Sequence, residues 1–167
     1  MMKPSYYKII YYFLWILGLA VMQSTLLNYV RIFGVIPNLF LVFVISVAIM
    51  SGSPVESAII GFISGFMLDS MTGHTIGPNM FLLMYAGVLN GIVFKRLIAG
   101  QYFGMFVTIL LTSLAYYFLE YSLNFVIWGH ANLGLEFLFV TLVATVYNAA
   151  VCVPLLLAAK KGFRKSS

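Results

Sequence analysis

Six apolar runs follow one another along this chain, and the charges between them fall almost entirely on one side. The runs read as residues 9–28, 32–51, 54–71, 78–94, 102–126 and 135–159. A helix that crosses a bilayer needs about 20 residues. Six of them consume most of a 167-residue chain, so residues 1–167 read as a single transmembrane domain with no long loop. Composition decides against a soluble alternative. With 63% hydrophobic and 8% charged residues, a chain of this length folded in water cannot bury enough of its apolar surface. The expected fold class is all-α, a polytopic membrane bundle of six transmembrane helices.

Charge placement tests that count. With six spans, Lys3, Lys8, Lys95, Arg96, Lys160, Lys161, Arg164 and Lys165 lie on one side and Arg31 alone on the other. Basic residues concentrate on the cytoplasmic side of membrane proteins. Fusing the second and third runs would send the Lys95-Arg96 pair and the basic tail to the wrong side. The break at Gly52-Ser53-Pro54 is therefore real, with Pro54 suited to a first helical turn. Both termini are expected in the cytoplasm. Glu56 falls near the inner face, and Asp69, Glu120 and Glu136 toward the outer one. The first run reads as a retained span, being too long for a leader and lacking a small-residue cleavage site. The basic tail is read as a topology signal that also touches anionic lipid, with a cytoplasmic protein partner as the alternative. Nothing calls for nucleic acid.

Helix association inside a bilayer depends on close packing and polar contacts. Glycines recur four apart at Gly61 and Gly65, Gly87 and Gly91, Gly100 and Gly104, and, in a loop, Gly73 and Gly77. Such pairs let backbones approach. Ser57, Gly61, Gly65 and Asp69 share one face of the third run, a small-residue groove that ends at a carboxylate. Asp69 either caps the turn Asp69–Gly73 or makes an internal lock or partner contact. The fifth run carries a polar stripe, Thr108, Thr112, Tyr116, Glu120 and Asn124, expected to face protein. Glu120 either reaches outer water or pairs with Arg31 or a neighbouring helix. Gln23, Asn90 and Asn148 read as hydrogen-bonding links between helices. The tyrosines, among them Tyr11, Tyr12, Tyr116, Tyr117 and Tyr121, read mostly as an interfacial belt.

Catalytic chemistry finds no support. His74 and His130 fall in loops, and with Cys152 as the lone cysteine no metal-ligand spacing appears, so neither metal nor cofactor is expected. The string Gly61-Phe62-Ile63-Ser64-Gly65 has the wrong register for an intramembrane serine protease, and no later span holds a histidine to act as base. No catalytic residue is assigned.

Three segments together resemble the MreD family, the multi-pass membrane component of the bacterial rod-shape machinery. They are Gln23–Leu27, then Pro37-Asn38-Leu39, then Gly61–Asp69 followed by Gly77. Asn38 departs from the family pattern, in which an acid is common. The resemblance implies a non-catalytic scaffold in the bacterial cytoplasmic membrane. It would maintain rod shape by organising peptidoglycan synthesis with MreC, a single-span protein, and through it with MreB and the RodA–transpeptidase synthase. The Gly61/Gly65 face and its neighbours would organise the bundle, Asp69 and Asn38 would support its outer half, and Pro37, Gly87 and Gly91 are further helix-packing or partner candidates. A homo-oligomer is compatible with this reading. The competing reading is a substrate-capture subunit of a vitamin transporter of the energy-coupling factor type, whose fold is similar in length and hydropathy. That activity would need a pocket of converging polar groups.

Overall fold

The computed structural model describes residues 6–26, 35–73, 77–93, 102–128 and 139–151. Arg31, His74, the Lys95-Arg96 pair, Gly100, His130, Glu136, Cys152 and the basic tail lie outside them. The described residues are almost wholly helical. The helices are α1 (Tyr6–Val21), α2 (Leu39–Ser51), α3 (Pro54–Thr72), α4 (Pro78–Val93), α5 (Tyr102–Trp128) and α6 (Phe139–Val151). Helix α1 continues over Met22–Leu26 as a wider, π-type turn. Among the described residues three stretches are long and apolar enough to cross a membrane: Lys8–Thr25, Pro54–Thr72 and Phe106–Leu123. Over the described residues α2, α4 and α6 are apolar but shorter.

Helix α2 is the axis of the bundle. Its residues Leu39 to Ile49 are all buried, and it touches α1, α3, α4 and α5. A helix buried on every side has no polar face to keep, which explains why its sequence is apolar all round. Trp15 of α1 stacks on Phe43 with ring centroids 6.1 Å apart, and Tyr12 meets the same ring edge-on. The outer faces of the other helices carry the reverse pattern. Phe13, Phe62, Tyr85, Leu111, Phe118 and Val146 are exposed, a ring of large apolar side chains suited to lipid and not to water.

The second run differs from its expected bounds. It was expected to begin a helix at residue 32, but α2 starts at Leu39. Pro37 contributes no N–H, and Asn38 adopts an extended conformation (φ −90°, ψ 94°) while its Oδ1 accepts from the Leu41 N–H at 3.1 Å. That is an N-cap, which fixes where a helix begins. Thirteen residues rise about 20 Å, well short of the roughly 30 Å hydrocarbon core. The other end follows the expected break. Gly52 closes α2 in the left-handed region (φ 58°), Ser53 caps α3 by accepting from the Glu56 N–H, and Pro54 is the first helical residue.

At this end α1 is pinned to α3. Lys8 Nζ lies 2.7 Å from Glu56 Oε1, and the Tyr12 hydroxyl donates to the same carboxylate. Tyr12 is buried, so it belongs to the helix contact and not to an interfacial belt.

Candidate functional site

Two features draw the polar and small residues of the chain together: a glycine seam between α3 and α4, and a polar hub around Asn38.

The seam is an antiparallel backbone contact. A methyl group on Gly65 would collide with Met80 Cα and lie 2.7 Å from the Asn79 carbonyl carbon. One on Gly61 would collide with the Leu83 carbonyl. The relation then reverses, since Gly87 of α4 meets the Ser57 carbonyl and Gly91 lies against Pro54, with 2.9 Å to its Cα. Each helix thus supplies two of the four positions at which only hydrogen fits. Ser57 is fully buried here and returns its hydroxyl to the Ser53 carbonyl at 2.8 Å.

The remaining pairs behave differently. Gly73 and Gly77 are not a packing pair: both take positive φ (69° and 133°) with open space beside them, so they shape the turn. Gly100 lies outside the described residues.

That turn is built on Asp69. The Asp69 carbonyl accepts from the Gly73 N–H and so ends α3. Its carboxylate, 1% exposed, accepts from Gly77 N at 2.8 Å, Asn79 N at 3.2 Å and Met80 N at 3.1 Å. Gly77 stands in the N-cap place of α4 but has no side chain with which to cap it. Asp69, one turn from the end of the preceding helix, supplies the missing acceptors, and Pro78 has no N–H to satisfy. A negative charge at a helix N-terminus is also favoured by the helix dipole. The carboxylate therefore caps α4 across the turn, a wider role than closing Asp69–Gly73.

The hub begins where that cap ends. Asn79 accepts from the Tyr116 hydroxyl, and Tyr116 accepts from Asn38 Nδ2 at 3.1 Å. The Asn38 N–H donates to Asn148 Oδ1 at 2.8 Å, and Asn148 Nδ2 donates to the Tyr117 hydroxyl at 3.2 Å. Gln23 completes the ring. Its amide donates to the Pro37 carbonyl at 3.1 Å and accepts from the Leu39 N–H at 3.0 Å, pairing with the backbone on both sides of Asn38. The π-type turn at the end of α1 carries this glutamine. Five of the six helices or their entry segments meet here, about halfway along α5, and α3 reaches the hub through the Asp69 bond to the Asn79 N–H. Tyr116 is thus an interior hydrogen-bonding group, contrary to the interfacial-belt expectation.

The lower part of the stripe is also turned inward. Thr112 donates to Asn90 Oδ1 at 3.1 Å, and Asn90 Nδ2 bonds the Ala86 carbonyl at 2.7 Å. Glu120 is partly buried one turn beyond Tyr116 and near enough to Asp69 to interact electrostatically. It makes no hydrogen bond or ion pair with another described residue, and Arg31 lies outside them. Asn124 lies in α5, but its side chain is outside the described residues. Among the described residues no group of three or more His, Cys, Asp and Glu side chains could hold a metal ion. Sequence reasoning did not foresee Asn79 or Tyr117. The signal for Asn79 was its place one residue after Gly77-Pro78, where a helix start needs acceptors.

The comparison with protein families is decisive: the family described as "rod shape-determining protein MreD" matches residues 6–165 of the 167. The chain belongs to the MreD family. No curated protein and no solved structure matches it significantly. Membership makes it a rod shape-determining membrane protein, of a family that is structural and not known for enzymes. The three helices among the described residues that are long and apolar enough to cross a membrane agree with a membrane location.

Asn38 offers a direct test of the hub. Asn38→Ala removes the α2 cap and the bond to Tyr116, an expected loss of about 2–3 kcal/mol. Asn38→Asp retains an oxygen over the Leu41 N–H at the positive end of α2 and should cost less. Thermal unfolding of the purified protein in detergent, followed by loss of the monodisperse gel-filtration peak, should rank wild type above Asn38→Asp, and Asn38→Asp above Asn38→Ala.

Proposed function

We propose that this protein is a non-catalytic scaffold of the bacterial elongation machinery. In this reading residues 1–167 form one transmembrane domain in the cytoplasmic membrane, with six spans and both termini in the cytoplasm. It maintains rod shape by organising peptidoglycan synthesis with an MreC-like single-span protein. Through that partner it is linked to MreB and to the RodA–transpeptidase synthase. Gly61, Gly65, Gly87, Gly91, Pro37, Asn38 and Asp69 act as its internal frame.

The observation that carries the reading is where the buried polar groups point. Asp69, Asn38, Asn148, Tyr116 and Gln23 bond to the backbone and to each other across helices. Polar groups spent in this way hold helices in register. A capture subunit needs them directed into a cavity, where they orient a ligand. With apolar runs this closely spaced in the sequence, helix faces, together with the basic tail, are the main surface for a partner.

The experiment is co-purification with a tagged MreC-like protein from the same cell, paired with depletion. A stable complex and cell rounding on depletion are expected. Failure of the two proteins to associate, together with saturable thermal stabilisation by a vitamin, would transfer the assignment to the capture reading.

A further inference from the structure

We infer that the cleft between α4 and α5 receives a transmembrane helix of a protein partner, and that a basic or amide-bearing side chain near the outer end of that helix meets Glu120. This rests on the scaffold reading and adds the place where the partner sits.

The cleft encloses about 620 Å³ and is open along one side, where Tyr85, Leu89 and Leu111 are exposed. Its lining runs from Val107 to Leu119, about 18 Å of α5 or three helical turns. Ala86 and Ala115 are part of that lining, and small side chains let a second helix approach closely. The polar groups in the wall are already engaged: Thr112 with Asn90, Asn90 with Ala86, and Tyr116 with Asn79. The cleft therefore suits an apolar occupant along most of its length.

Glu120 sets the chemistry of the far end. Thr108, Thr112 and Tyr116 all line the cleft, and Glu120 continues their row one turn further. It is partly buried and has no counter-charge among the described residues. A carboxylate on a membrane-spanning helix is costly unless it is paired or reaches water. An acyl chain would fill the cleft but leave Glu120 as it is. A second copy meeting along the same cleft, with a two-fold axis normal to the membrane, would bring two Glu120 carboxylates to the same depth. A heterologous helix with a donor at that level satisfies both the apolar cleft and the acid.

Disulfide trapping tests this in the intact chain with Cys152→Ser. Cysteines at Leu89 or Leu111, and at Phe62 on the opposite face of α3 as control, are combined with a cysteine scan of the MreC-like protein's transmembrane helix. Crosslinks recurring every three to four residues are expected from Leu89→Cys and Leu111→Cys and not from Phe62→Cys. Ala115→Leu, on an exposed position, should leave thermal stability unchanged and reduce the recovered partner about tenfold. Glu120→Lys should do the same and be restored by reversing the facing basic residue of the partner helix.

A partner that co-purifies but crosslinks through Phe62→Cys, or is indifferent to Ala115→Leu, overturns the cleft assignment while leaving the scaffold reading intact. So does rescue of Glu120→Lys by Arg31→Glu within the chain. Crosslinks between two copies, or retained phospholipid with no protein crosslink, assign the cleft to those occupants instead. No association at all overturns both readings.

Discussion

Gly65→Leu is expected to separate α3 from α4 and abolish recovery of a monodisperse protein. The position admits only hydrogen, because a Cβ there would meet the backbone of Asn79 and Met80 and not a side chain that can turn aside. Overpacking a well-filled interior usually costs about 1–3 kcal/mol, because neighbouring side chains adjust. Here the whole of α4 must move. That motion would also break the Asp69 bonds to Asn79 and Met80 and shift Asn79 from Tyr116. Gly65→Ala is expected to lower the melting temperature measurably, and Gly65→Leu to give aggregate in detergent and round cells when it is the sole copy. Wild-type recovery and rod shape with Gly65→Leu would remove the seam from the account. Gly18 is the control, since a Cβ there has open space.

Asp69→Ala is the second large effect. It leaves the N–H groups of Gly77, Asn79 and Met80 without acceptors in a region that water does not reach readily. Hydrogen bonds to a charged group contribute about 1.5–3 kcal/mol each, so the combined loss should exceed about 3 kcal/mol even if the turn relaxes. Asp69→Asn should be intermediate, because one amide oxygen can replace only part of what two carboxylate oxygens accept. Asp69→Glu keeps the charge but displaces it by one methylene. The series Asp, Asn, Ala at residue 69 should therefore melt in descending order. An Asp69→Ala protein as stable as wild type would mean that α4 begins elsewhere.

The α3–α4 unit was largely legible in the sequence. Small residues four apart on an apolar run have one economical use in a bilayer, and Gly52-Ser53-Pro54 carries its own cap and first-turn signals. The start of α2 was less so, because Ile32-Phe33-Gly34-Val35-Ile36 continues the apolar run and hydropathy does not register a helix boundary. The signal lay in Pro37-Asn38, where a missing N–H is followed by a good capping side chain. Tyr116 shows a different kind of loss. Its place on a polar stripe was visible, but tyrosines suit membrane interfaces, and its partners Asn38 and Asn79 lie 78 and 37 residues away. No local pattern encodes a contact of that separation. Glu120 stayed ambiguous for the same reason, since spacing places it on a face without saying what lies opposite.

The sequence separation within the hub has a consequence for biogenesis. The seam and the Asp69 cap are complete within a short stretch of nascent chain, so a helical hairpin can leave the translocon already paired. Asn38, by contrast, must wait for Asn148, 110 residues later. Until α6 emerges from the ribosome, the amide of residue 38 has no acceptor, and a polar gap stays open at the centre of the bundle. Closing that gap requires α6, and any product truncated before it would carry the defect that membrane quality-control proteases are suited to find.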